Sequence, residues 1–186
     1  MKNIQTSTPI FTFKPVSIEN RPLIHRWLSQ DYIQEWIHGE GLKNTLSGLD
    51  DFIEHFQQTQ TIDRSLELTQ HWLGYADNIP FVYLLTSNVF ESEDSIYAKH
   101  KKAGNHTITL DIFIGEPDYL GKGFATPLIK TFLKTHFKDV SEVFIDPEQT
   151  NQRAIHVYQK AGFQLIDEFI APWHPVPHYL MRLNQE

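Results

Sequence analysis

Gly115-Glu116-Pro117-Asp118-Tyr119-Leu120-Gly121-Lys122-Gly123-Phe124-Ala125-Thr126-Pro127 follows a run rich in β-branched residues, HTITLDIFIGE (106–116). That run predicts a strand. Two glycines then frame a tight turn, and a helix begins over roughly 125–137. Pro127 falls in the first helical turn, where its missing N–H costs nothing. Small residues at Gly121, Gly123 and Ala125 let a ligand approach the backbone. Unpaired N–H groups and the helix dipole at such a point favour an anion, a pyrophosphate for example. The stretch is not a P-loop, because no Gly-Lys-Ser/Thr stands at the required spacing. It is not a dinucleotide fingerprint, because Gly-x-Gly-x-x-Gly is absent. Taken alone it reads equally well as a plain glycine turn before a helix.

Downstream, a strand at 142–146 ends in Asp146-Pro147-Glu148-Gln149-Thr150-Asn151-Gln152-Arg153-Ala154-Ile155 and continues into His156-Val157-Tyr158-Gln159-Lys160-Ala161-Gly162-Phe163. Asn151 is a good N-cap for a helix over about 151–161. Ile155 and Ala161 suit its buried face, with Tyr158 one turn on from Ala154. Gly162 closes it in a left-handed cap. Strands follow near 163–170 and 178–183. On their own, Asn151 is as well explained as a cap and Tyr158 as a core aromatic.

Upstream, residues 9–16 (PIFTFKPV) alternate as a strand, and Ser17 caps a helix over about 18–29 with Pro22 in its first turn. A short helix over Tyr32–Ile37 stops at Gly39, and a third spans about Leu46–Gln58. Strands at 65–75 and 80–87 meet at Asp77-Asn78, a hairpin signal. Residues 90–105 are charged and weakly patterned, which predicts a mobile loop with at most a helical turn. The order β-α-α-β-β-β-α-β-α-β predicts an α/β layer fold with a mixed sheet.

The chain has 186 residues, net charge −7 and no cysteine. Its length suits one domain. The acidic balance argues against nucleic acid, whose binders carry a basic excess. Cationic partners are favoured if the acids gather in one cleft. Disulfides, thiol nucleophiles and zinc-thiolate sites are excluded. No apolar run approaches the roughly 20 residues that span a bilayer, and the start lacks a signal-peptide pattern, so a cytoplasmic location is expected. Among ten histidines none forms a helical ligand pair; His174 and His178 are four apart in a Pro-rich segment. No metal is expected.

The two glycine-punctuated segments, about 25 residues apart in this order, together resemble the GCN5-related N-acetyltransferases (GNAT). The resemblance implies that fold over residues 1–186, with an acetyl-CoA-binding core at about 106–165 and acceptor-side elements at about 9–60. It implies that Leu120, Gly121, Lys122, Gly123, Phe124, Ala125 and Thr126 hold the cofactor pyrophosphate. It places Phe113 and Ile114 along the pantetheine arm, Asn151 and Ala154 against the cofactor, and Tyr158 near the leaving sulfur. The family usually has Gln or Arg where Leu120 stands, so one side-chain contact is lost while the backbone site remains.

Leu110–Tyr119, the DP-x₃-N-x-RAI-x₂-YQKAGF run, Glu35-Trp36 with Gly39-Glu40, and Tyr179-Leu180-Met181 are similar to the aminoglycoside 6'-N-acetyltransferases. That likeness implies a cationic amine acceptor, with Asp111 facing the amine and Asp146 bordering the cleft. Glu35, Trp36 and Glu40 are then candidate acceptor contacts. Asp111 is the candidate base, although an unperturbed carboxyl near 3.9 is a weak one. Tyr158 is the candidate acid toward the thiolate, and a backbone N–H near Phe113 or Ile114 is placed to stabilise the thioester oxygen. Two other readings are an acyltransferase for an N-hydroxylysine-like siderophore precursor and a non-catalytic acyl-CoA-binding module. A monomer or homodimer is expected.

Overall fold

The computed structural model describes residues 8–63 and 65–185. Residues 1–7, on which part of the signal-peptide reading rests, lie outside them. A seven-stranded sheet runs in the order β1-β2-β3-β4-β5-β7-β6. The strands are β1 Phe11–Pro15, β2 Gln70–Ala76, β3 Ile79–Asn88, β4 Thr107–Ile114, β5 Glu142–Ile145, β6 Gln164–Ala171 and β7 His174–Asn184. All neighbours are antiparallel except β4 and β5. The helices are α1 Arg21–Leu28, α2 Asp31–Gln34, α3 Gly39–Thr59, α4 Ile96–His100, α5 Ala125–His136 and α6 Gln152–Ala161. The predicted mixed-sheet α/β architecture is therefore present.

Period-two alternation sorts the central strands between two layers of helix. Trp72, Val82, Leu84, Ile108 and Leu110 pack with Leu128, Ile129, Phe132 and Leu133 of α5. Leu73, Tyr83 and Leu85 face the other way, onto Trp27 and Leu28 of α1 and Leu49, Phe52 and Ile53 of α3. Because both faces are covered, β3 reads as an almost unbroken apolar run. Each large core ring matters: truncating a fully buried phenylalanine such as Phe132 typically costs about 3–5 kcal/mol. The same alternation fixes β4. Ile112 and Ile114 lie with Ile108 and Leu110 on the α5 side, while Phe113 joins the α1–α3 side. Asp111 shares the face of Phe113.

Several boundaries differ from expectation. Ile18–Asn20 is a 3-10 turn before α1, with the backbone N–H of Ser17 donating to Asn20 Oδ1 at 2.9 Å. Gly39 does not close a helix; at φ 55 it opens α3, which begins seven residues before Leu46. The glycines at 39, 41 and 48 hide that extension, since glycine is a poor helix former. Residues 65–67 make a turn and bends and 68–69 are irregular, so the strand begins only at Gln70. Asp77 (φ 48) and Asn78 (φ 70) make the expected hairpin turn, the left-handed pair that a two-residue connection requires. The 90–105 segment is not wholly loop. It carries α4, capped by Ser95, whose Oγ accepts from Ala98 N at 3.1 Å, and Ile96, Tyr97 and Ala98 pack against Val89, Phe144 and Leu180. β7 begins at His174, inside the Pro-rich segment. Prolines argue against a strand where both sides must form ladders. Here β5 pairs only with Met181–Asn184, and the earlier part of β7 has β6 on one side and a single bridge to Glu148 on the other.

Candidate active site

β4 and β5 pair in parallel over only three residues, Thr107↔Glu142, Ile108↔Val143 and Thr109↔Phe144. β4 then continues to Ile114 while still paired with β3 on its other side. From Leu110 onward its β5-facing edge has no strand partner among the described residues. Alternate backbone N–H and C=O groups along that edge are open to a ligand. A cavity of about 570 Å³ lies there, lined by residues from β4, α2, the α2–α3 connection, α6 and the β6–β7 hairpin.

The end of β4 is held from α1 and α2. Tyr32 OH donates toward the Ile114 and Gly115 carbonyls at 3.0 and 2.9 Å, and Gln30 Nε2 donates to Gly115 O at 2.7 Å. Trp27 Nε1 donates to Glu116 Oε1 at 2.8 Å, and Arg26 pairs with the same carboxylate. A β-carbon on Gly115 would overlap the Trp27 indole. Only glycine lets the strand end against that ring.

The turn that follows has Gly121 at φ 73 and Gly123 at φ 75. A β-carbon at Gly123 would meet no protein atom within 4 Å. The glycine is required by its backbone angle, and the space over it is open. Phe124, the N-cap of α5, makes no side-chain cap hydrogen bond, so the first helical N–H groups have no side-chain acceptor there. Leu120 and Ala125 line the cavity. Gly121, Lys122 and Gly123, between those two in sequence, are exposed and are not among its lining residues, with Lys122 Nζ 5.9 Å from the Tyr119 ring centre. The Phe124 side chain turns inward, onto Phe11, Phe81 and Tyr119. Thr126 Oγ1 donates to Val157 O at 3.4 Å, tying α5 to α6. Asn151 lines the cavity but spends its Oδ1 on Ala154 N, at 3.1 Å, as the cap of α6. Ala154, Tyr158, Phe113 and Ile114 line it as well.

Asp111 and Asp146 both line this cavity. Asp111 sits deep in the protein, yet its carboxylate opens into the cavity and keeps solvent contact through it. Burial pushes its carboxyl up to about 6. Asp146 is pushed up too, by burial first and then by the charge of Asp111, with a Tyr97 hydrogen bond pulling the other way. The Tyr158 phenol, 8% exposed, is raised by burial and by both carboxylates. The cavity thus joins two carboxylates that resist ionisation to a phenol that keeps its proton.

Of the expected acceptor contacts, Glu35 and Trp36 line the cavity. Glu40 is not among its lining residues; it is exposed on α3, 3.6 Å from Lys43 Nζ. The sequence reading missed Tyr97, Glu148, Trp173 and the histidines 38, 174 and 178, all of which line the cavity. No local pattern marks them, because they converge from α4, the β5–α6 connection and the β6–β7 hairpin. Among the described residues, no group of three His, Cys, Asp or Glu side chains is arranged to hold a metal ion. No helix among them is long and apolar enough to cross a membrane.

Residues 19–170 match the family model of the acetyltransferase (GNAT) domain. The chain is 41% identical to the aminoglycoside N(6')-acetyltransferase of Legionella pneumophila subsp. pneumophila str. Philadelphia 1, whose crystal structure superposes with a TM-score of 0.78 over 94% of this chain and 91% of that one. It is 25% identical over 184 residues to aminoglycoside N(6')-acetyltransferase type 1 of Klebsiella pneumoniae, covering 98% of this chain and 87% of the relative. The structure of AAC(6')-Ib in complex with ribostamycin and coenzyme A shares the fold, with a TM-score of 0.73 at 22% identity over 94% and 93% of the two chains. Split strands, glycine turn and whole-chain likeness agree: the chain belongs to the GNAT acetyltransferase family.

Proposed function

We propose that this chain transfers the acetyl group of acetyl-CoA to a primary amine of a cationic small molecule, the 6'-amine of an aminoglycoside. The observation that carries the reading is the unpaired β4 edge beside the Gly121–Gly123 turn, with Asp111 and Asp146 in the same cavity. Residues fit the cofactor at three points: open space over Gly123, uncapped N–H groups at the start of α5, and free backbone groups along β4. The N-terminus of α5 suits a diphosphate. On this reading residues 106–165 serve the donor, residues 9–60 serve mainly the acceptor, and both belong to one domain.

Acetyl-CoA supplies an activated acyl group on a thiol leaving group. The protein supplies position and proton control. Asp111 anchors the acceptor ammonium and takes its proton, directly or through water. Its carboxyl near 6 is closer to the working pH than an ordinary carboxylate, which improves it as a proton acceptor. A β4 backbone N–H at Phe113 or Ile114 offers a hydrogen bond to the thioester oxygen as charge grows there. Tyr158 acts as a hydrogen-bond donor to the departing sulfur. A thiol titrates near 8.5, and a phenol held above 10 gives its proton to such a thiolate only uphill, so the phenol stabilises the thiolate without having to lose its proton.

The acceptor walls carry acids and indoles, Glu35 with Trp36 and Trp173, surfaces suited to a cationic amino sugar. The 90–105 and 171–178 segments contribute Tyr97, Trp173 and His174 to those walls.

Thiol release from acetyl-CoA in the presence of kanamycin tests the reading. The absence of cysteine means that a thiol reagent meets no background from the protein. Thiol should appear in proportion to acceptor, and the product should carry its acetyl on the 6'-nitrogen. No release across a panel of aminoglycosides overturns the assignment.

A further inference from the structure

Glu148 and His174 are a second close side-chain pair in the cavity, apart from Asp111 and Asp146. His174 Nε2 lies 2.9 Å from Glu148 Oε1, and both side chains are mostly buried, at 19% and 13% exposure. The contact is close but poorly aligned, and among the described residues Glu148 Oε1 has no hydrogen-bond partner and Oε2 accepts only from Thr150 Oγ1, at 3.3 Å. A carboxylate removed from water is costly unless a charge and hydrogen bonds compensate it. Here the one compensating group is an imidazole at an unfavourable angle. Three elements hold that imidazole in place: His38 at the head of α3, with ring centres 4.5 Å apart, His178 on β7 at 6.0 Å, and the Glu148 connection itself. Burial lowers the His178 imidazole first, while Glu148 raises it and His174 lowers it.

We propose that His174 is the resident partner of Glu148, and that it yields this carboxylate to a second ammonium group of the acceptor. The proposal rests on the amine-acetyltransferase reading and adds to it the residue that receives the acceptor's second amine. Glu148 follows Asp146 by two residues, so their α-carbons are at most about 7 Å apart. One ammonium at Asp111 and Asp146 therefore places another within reach of Glu148 on a rigid diamino or triamino sugar. An ammonium carries three donors and aligns freely, so it satisfies the orphaned Oε1 better than the fixed ring does. The subsite discriminates because a monoamine leaves Glu148 with His174 alone.

The pair predicts effects of opposite sign on selectivity, defined as kcat/KM for kanamycin over kcat/KM for methyl 6-amino-6-deoxyglucoside, a monoamine with the same reacting group. Glu148→Gln removes the charge and should lower selectivity roughly tenfold or more, the scale of a lost hydrogen bond to a charged group. His174→Asn removes the competitor and should raise selectivity, roughly two- to fivefold. Melting temperature and coenzyme A binding of each variant, with His174→Gln as a second replacement, report on folding. Selectivity that moves in the same direction in both variants, or in neither, overturns the proposal. If wild type acetylates neither amine, the acetyltransferase reading fails and the proposal falls with it.

Discussion

Trp27 lies so close over the bare α-carbon of Gly115 that the two admit no β-carbon between them, while the same indole donates to Glu116 at 2.8 Å. The contact sets where β4 stops and the glycine turn starts. Gly115→Ala should therefore cost about 1–3 kcal/mol of stability, the usual range for overpacking a tight site. It should also weaken coenzyme A binding, since the turn moves with the strand end. Thermal melts and calorimetric titration with coenzyme A check both effects. An alanine variant that melts with wild type would show that the indole moves aside at no cost.

Gly123 separates backbone strain from ligand exclusion. Gly123→Ala meets no protein atom, so its folding penalty should be only about 1–2 kcal/mol, from the positive φ. Gly104 has almost the same φ, 77, and equally open space, but stands before β4 rather than before α5. Gly104→Ala should lower the melting temperature similarly and leave coenzyme A affinity alone. Gly123→Ala should weaken that affinity at least tenfold. Equal affinities for the two variants would remove the turn from the cofactor site.

Asp111 predicts a trade between activity and stability. Below pH about 6 its carboxyl is protonated and cannot accept the amine proton, so kcat/KM should fall as pH drops through that value. Asp111→Asn should abolish this limb and reduce kcat by roughly 10²–10⁴. The stability sign is opposite. A folded carboxyl held above its unfolded value binds a proton more tightly in the native state, so stability declines as pH rises from about 4 to about 6. Asp111→Asn should thus melt above wild type at pH 7, with the difference vanishing below pH 4. Parallel melts at pH 4 and pH 7 measure it.

Tyr158→Phe should lower kcat roughly tenfold, the worth of one hydrogen bond to a charged sulfur. The loss should be uniform from pH 6 to 9, because burial and the two carboxylates keep the phenol protonated throughout. Stopped-flow release of the thiol at several pH values tests this. A deficit that grows toward pH 9 would mean that the phenol ionises in the working range.

On the proposed assignment, the donor half of the cavity is legible in sequence because its chemistry is local. Gly121 and Gly123 advertise positive φ, Pro127 marks a first helical turn, and Asn151 to Gly162 brackets a helix by its caps. Period-two spacing also put Asp111 and Phe113 on one face of β4. The acceptor half was mostly hidden. Tyr97 sits in a charged segment whose short helix is held by Phe144 and Leu180, residues distant in sequence. His174 lies among prolines that discourage a strand reading, and its meeting with Glu148 depends on a bridge between β7 and the β5–α6 connection. Glu40 is a candidate acceptor contact from the family likeness; in the first turn of α3 it pairs with Lys43 outside the cavity.

The short parallel pairing of β4 and β5 carries one more consequence. Three paired residues anchor the halves of the sheet, and everything beyond them on the β4 edge is hydrogen-bonding capacity left for a guest. A donor lying there as an extra strand would knit the two halves together. Loss of coenzyme A would then loosen the molecule along one seam, and slowed amide exchange on loading should concentrate at residues 110–114 and 120–126.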